Sequence, residues 1–115
     1  MTSPQAGALF ETLVFAEIFK FIQNYAKDWQ LYLWRTKDGE EIDFLIMTAS
    51  GNVIALDAKM SLQTTQPMKL PNSFKQLFPQ VKTIILVTFG GQEIQLSQEC
   101  LALPIANLHD FLMRV

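Results

Sequence analysis

Apolar and polar positions change their period along the chain. From Ala6 to Asp28 they recur at roughly 100° per residue, placing Val14, Phe15, Ile18, Phe19, Phe21, Ile22 and Tyr25 on one broad arc. Glu17, Lys20, Asn24 and Lys27 lie opposite, so residues 6–28 are predicted to form one helix. The period then falls to two, and Leu31–Thr36, Glu41–Thr48 and Val53–Lys59 read as strands. Lys37-Asp38-Gly39-Glu40 suits a tight hairpin turn. Ala49-Ser50-Gly51 suits a three-residue loop with Gly51 in the left-handed region.

The polar stretch Ser61–Pro71, carrying Pro67 and Pro71, reads as a loop. A short helix is predicted after Pro71, with Phe74, Leu77 and Phe78 as its apolar stripe. Val81–Phe89 is almost continuously apolar, the pattern of a central strand buried on both faces. Gly90-Gly91 turns the chain, Glu93–Leu96 and Leu101–Ile105 read as short strands, and a helical turn runs through Leu108, Phe111 and Leu112. Without repeats or linkers, residues 1–115 form a single α/β domain on this reading: a mixed sheet with a three-strand meander and further strands, flanked by helices.

Composition narrows the chemistry. Half the residues are hydrophobic and 17% are charged, which supports a packed core and excludes a disordered chain. A net charge of −2 brings no global basic field, leaving only local positive features for nucleic acid. Single residues of each type, Cys100 and His109, exclude an internal disulfide, a Cys-based zinc site and a multi-histidine metal site. Cys100 reads as a small buried hydrophobe and His109 as a surface or capping residue. The first residues lack the basic region of a signal peptide, and no apolar run reaches the ~18 residues of a membrane span. A cytoplasmic protein without membrane contact is the expectation. There is no Gly-x-x-x-x-Gly-Lys-Ser/Thr, so the sequence carries no P-loop ATP site. It has no Gly-x-Ser-x-Gly elbow either.

Carboxylates supply the candidate site. Strand alternation puts Glu41, Asp43, Leu45 and Met47 on one face, and Val53, Ala55, Asp57 and Lys59 on one face of the next strand. A hairpin closed by residues 49–51 pairs Thr48 with Asn52 and sets Asp43 opposite Asp57, with Cβ atoms ~5 Å apart. Such a pair needs a compensating charge, from Lys59 or from a divalent cation. Oxygen-only ligation favours Mg²⁺ or Mn²⁺ over zinc. Glu11 falls at the middle of the helix's apolar arc, where a buried carboxylate is costly unless paired or metal-bound, whereas Glu17 falls on the wet side.

Asp43 followed after thirteen residues by Asp57-Ala58-Lys59 resembles the metal-binding core of the PD-(D/E)xK, restriction-endonuclease-like superfamily. More of the chain resembles a C-terminal nuclease-like domain of unknown function that follows AAA-type ATPase modules in prokaryotic proteins. The resemblance lies in Gly7-Ala8-Leu9-Phe10-Glu11, in Trp34-Arg35-Thr36-Lys37-Asp38-Gly39-Glu40-Glu41-Ile42-Asp43-Phe44, and in Ala55-Leu56-Asp57-Ala58-Lys59. It implies a restriction-endonuclease-like core in which Glu11, Asp43 and Asp57 hold Mg²⁺ or Mn²⁺. Lys59 then orients or activates the attacking water on a DNA phosphodiester. Ile42 stands where the superfamily name has Pro, and Asp57 where related domains often carry Glu. The chain is then a fragment or stand-alone relative of an ATPase-linked protein, and an inactive module for DNA docking or association with an ATPase partner is the alternative.

Other readings stand beside these. Asp43 also suits a solvated strand acid paired with Lys59, Glu11 a residue capping an adjacent helix, and Lys59 plain strand-end surface. Trp34-Arg35-Thr36-Lys37 suits strand packing beside a turn as well as a nucleic-acid contact. A homodimer interface could lie along Phe10, Phe19 and Phe21 or along the C-terminal Leu108, Phe111, Leu112 and Met113.

Overall fold

The computed structural model describes residues 4–25, 27–60 and 68–115. The first apolar-periodic segment is helix α1 (Pro4–Asn24). It stops at Asn24 rather than Asp28 because the chain must reverse into β1 (Gln30–Arg35). The Lys27 N–H reaches back to the Ile22 carbonyl at 3.0 Å, and Trp29 stacks on Phe21 with ring centroids 5.5 Å apart. The meander continues through β2 (Glu41–Met47) and β3 (Val53–Lys59). Gly39 (φ +88°) and Gly51 (φ +92°) take the left-handed region in the two connecting turns, where a side chain would be strained. After the connection, helix α2 (Asn72–Leu77) precedes β4 (Ile84–Thr88). Strands β5 (Ile94–Gln95) and β6 (Cys100–Pro104) follow. A 3₁₀ turn (Ile105–Asn107) leads into α3 (Leu108–Met113). Of the predicted loop Ser61–Pro71, residues 61–67 lie outside the described residues, and residues 68–71 form no regular element.

The six strands form one mixed sheet in the order β1-β2-β3-β4-β6-β5. The meander is antiparallel, β3, β4 and β6 run parallel, and β5 pairs antiparallel with β6. The strand β4, apolar except for Thr88, is buried throughout, as an internal parallel strand must be. Two apolar layers result. Phe10, Val14, Ile18 and Phe21 of α1 and Leu108 and Leu112 of α3 pack on Phe44, Ile46, Leu56, Ile85 and Val87. On the other face, Phe74 of α2 packs with Ile42, Leu45, Ala55, Ile84, Leu86 and Cys100. Cys100 is buried, as its sequence context suggested. Leu77 of the predicted α2 stripe is instead exposed, leaving Phe74 as the anchor.

The apolar arc of α1 is narrower than its sequence indicates. Phe10, Val14, Ile18, Phe21 and Ile22 are buried, but Phe15, Phe19 and Tyr25 are exposed along its flanks. Burial of Phe10 and Phe21 also removes two of the three aromatic residues suggested for a homodimer face. No helix among the described residues is long and apolar enough to cross a membrane.

One irregularity sets the geometry of the site. Tyr32 pairs with Leu45, yet Trp34 pairs with Ile42, so Leu33 of β1 faces two residues of β2, Asp43 and Phe44. This is a β-bulge, which reverses the alternation of β2. Ile42 therefore packs in the same layer as Leu45, against Trp34 and Phe74, instead of following Phe44. The expected common face of Glu41, Asp43, Leu45 and Met47 does not exist: beyond the bulge, Glu41 and Asp43 turn to the α1 side.

Candidate metal centre

The β2–β3 register places Phe44 opposite Leu56, and one step further brings Asp43 to Asp57, as the hairpin count predicts. The observed ladder ends there and the carboxylates take over. The Asp43 N–H donates to Asp57 Oδ1 at 2.7 Å, and the Ala58 N–H donates to Asp43 Oδ2 at 2.9 Å. Each carboxylate thus clasps the opposite strand with one oxygen. Its second oxygen accepts no hydrogen bond from the described residues.

The electrostatics are those of crowded acids. Asp57 is only 5% exposed, and burial pushes its carboxyl up to about 7, with the charge of Asp43 adding to the rise. The Asp43 N–H and Lys59 oppose that rise without cancelling it. Asp43 is raised too, chiefly by burial, against the hydrogen bond from Ala58. Ionised carboxylates without a full countercharge are unfavourable in such a setting, which is why both groups hold their protons more tightly.

Glu11 departs from its expected setting. It is exposed, not the centre of a buried face. Phe15 meets Phe44 and Phe21 meets Trp29, so α1 runs alongside β2 and Glu11 reaches the sheet's end rather than its middle. Partial burial, then Asp43 and Glu41, raise its carboxyl. Glu11 therefore shares the field of Asp43 without closing on the pair: among the described residues, no three His, Cys, Asp or Glu side chains form a metal-ligating cluster. Lys59 is exposed at the end of β3 and lowers both aspartates through space. It forms no ion pair among the described residues, so the cross-strand Asp43–Lys59 pair is not made. Glu17 pairs with Lys20 on the surface.

Sequence reasoning missed Glu41 and Arg35. Both join the field around Glu11, and Arg35 Nε lies 3.2 Å from Glu41 Oε2. The bulge brings them there. Its trace in the sequence is the loss of alternation in Leu31-Tyr32-Leu33-Trp34 and in Phe44-Leu45-Ile46, which signals a phase slip without locating it. Trp34 packs edge-on against Phe74 at 5.3 Å, in keeping with strand packing. His109 is a surface residue: its Nε2 is 2.8 Å from the Tyr25 hydroxyl, and its Nδ1 3.6 Å from Asp110.

The donor set suits a small hard cation. Two carboxylates, each with one oxygen that accepts no hydrogen bond among the described residues, match Mg²⁺, which commonly takes one or two carboxylates and completes its shell with water or substrate phosphate. Comparisons with curated proteins and with solved structures each return no match. The family described as "Domain of unknown function (DUF4143)" matches residues 6–108. That span takes in α1 with Glu11, the whole meander with both aspartates and Lys59, and the sheet through β6, and the chain belongs to this family.

Proposed function

We propose that the chain is a Mg²⁺- or Mn²⁺-dependent nuclease domain that hydrolyses DNA phosphodiester bonds on a PD-(D/E)xK-type, restriction-endonuclease-like core. The observation that carries the reading is the opposed Asp43–Asp57 pair, Asp57 buried and Asp43 half-buried, both raised in pKa and each with one oxygen that accepts no hydrogen bond among the described residues. Asp43 and Asp57 would hold the cation directly and Glu11 through water. Once bound, such a cation polarises a phosphoryl oxygen and lowers the pKa of water. The β2–β3 clasp fixes the two free oxygens relative to each other before any ligand arrives, so little ordering is left for binding to impose. Lys59, exposed and in no ion pair among the described residues, would orient the attacking water or the phosphate.

The test is calorimetric titration of Mn²⁺ and Mg²⁺ into the wild type and Asp57→Ala, paired with DNA cleavage by Lys59→Ala. The reading expects binding lost in the first variant, and cleavage lost with the fold intact in the second. Unchanged cleavage by Lys59→Ala refutes it.

A second reading keeps the acids as a strand clasp in an inactive module for DNA docking or association with an ATPase partner. It is favoured by the hydrogen bonds that already occupy both aspartates, and by Glu11 standing outside a three-carboxylate cluster. Association that survives chelation and Lys59→Ala would select it.

A further inference from the structure

Glu11, within the field of Asp43, lines an apolar groove with no place in the phosphodiester chemistry. Its cavity, about 240 Å³, is lined by Glu11 and Thr12 of α1, Phe15 one turn on, Leu33 at the bulge and Phe44 beside Asp43. The bulge builds it: the extra β2 residue sets Leu33 opposite Asp43 and Phe44, and Leu33 is left 67% exposed. Phe15 is 43% exposed although it touches Phe44, and Phe19 stacks on it at 6.0 Å with rings 15° from parallel. A monomer gains nothing in stability from a flat aromatic pair and a leucine held open to water beside Glu11.

We infer that this groove receives an unpaired nucleobase, so that the site acts on single-stranded nucleic acid or on strands opened from a duplex. The inference rests on the proposed phosphodiester site and names its substrate class. Continuity carries it: Glu11 lines the groove and shares the field of Asp43, and Phe44 follows Asp43 in β2. A strand with a phosphate at the aspartates therefore has its neighbouring base at Phe15. The volume lies below the ~300–1,000 Å³ of drug-sized pockets and suits one planar ring. Base–aromatic stacking tolerates every base because each has a π face, and a base within a duplex cannot offer it.

The experiment is fluorescence anisotropy of a labelled phosphorothioate single strand and of its blunt duplex in Mg²⁺, with wild type, Phe15→Leu, Phe15→Trp and Leu33→Ser. Leucine keeps the apolar contact with Phe44 and so preserves the fold, while tryptophan keeps the stacking. The single strand is expected to bind more tightly than the duplex. Phe15→Leu should weaken it by about 5- to 150-fold, the range of one lost base stack, and Phe15→Trp should restore it. Leu33→Ser, fully compatible with an exposed position, should weaken single-strand binding alone. Equal affinity for duplex and single strand, or Phe15→Leu binding like wild type, overturns the inference. Either result leaves the metal titration and Lys59→Ala cleavage to judge the phosphodiester site independently.

Discussion

Replacing Asp57 by Asn tests the electrostatics of the clasp without dismantling it. The asparagine carbonyl can still accept the Asp43 N–H that Asp57 Oδ1 accepts at 2.7 Å, while its amide can donate towards the Asp43 carboxylate. The carboxyl of Asp57 stands at about 7 in the fold against an ordinary value of 3.8. Its folded form therefore binds a proton more tightly than its unfolded form. Between these two values the native state holds more protons, so stability falls as pH rises and the loss is complete above about 7. At about 1.4 kcal/mol per pH unit, a gap of this size amounts to about 4 kcal/mol, a large part of a small domain's stability. Asp43 and Glu11 shift in the same direction and add to the slope. Glu99 has the opposite sign: its hydrogen bond with Lys75 holds it below 4.5, so its contribution is lost only in more acid solution.

The assay is urea unfolding of wild type and Asp57→Asn from pH 4 to pH 8 in chelator. At pH 4 the two proteins should be of similar stability. At pH 8 the variant should be more stable by several kcal/mol, because it has lost a buried charge and kept the clasp. Subtracting the two curves removes every other titrating group that does not touch the pair. A flat wild-type curve across this range, or a variant less stable than wild type at pH 8, would refute the assignment of an uncompensated carboxylate pair.

The same protons should compete with metal. Calorimetric Mn²⁺ affinity of the wild type should rise about tenfold per pH unit below about 7 and level off above it, since the proposed ligand is the ionised Asp57; a pH-independent affinity would remove Asp57 from the proposed ligand set. Phe74→Ala should destabilise by about 3–5 kcal/mol in urea unfolding, because a fully buried ring between Trp34 and Phe78 leaves a cavity that the six-residue α2 cannot collapse to fill. Gly51→Ala should destabilise by about 1–2 kcal/mol through backbone strain alone, since its φ is +92° and a Cβ there meets no atom within 4 Å; an unchanged midpoint would show that the β2–β3 turn relaxes freely.

Elements whose hydrophobic period matched a single environment were legible in the sequence. Strand β3 begins at Val53 and ends at Lys59, as its alternation indicates, and the almost continuously apolar run containing β4 lies inside the sheet. The turn at residues 49–51 determines the register, which is why the sequence alone sets Asp43 against Asp57. What failed was the assumption that one phase runs the length of β2. A bulge adds a residue without leaving a distinctive residue type, and Leu33, Phe44 and Leu45 are all apolar, so either phase buries something. Glu11 failed for a related reason. The buried arc of α1 is narrower than its residue types suggest, and Glu11 lies in the i, i+4, i+8 row with Phe15 and Phe19, which is left exposed on its flank.

Both failures fall on one place in the molecule. The bulge that breaks the alternation of β2 also turns Glu41 and Asp43 towards α1, opens the groove at Leu33 and ends the backbone ladder beyond Phe44. Freed from the ladder, the Asp43 and Ala58 N–H groups need acceptors, and the two aspartates supply them. The clasp thus follows from the bulge as an answer to two orphaned donors, and it ties both acids to the facing backbone at the sheet's end. A strand that kept its alternation would point Asp43 away from Glu11 and retain the backbone pairing. A deviation from regular β structure is therefore what assembles these acids into a site, and a regular strand pattern could not have announced it.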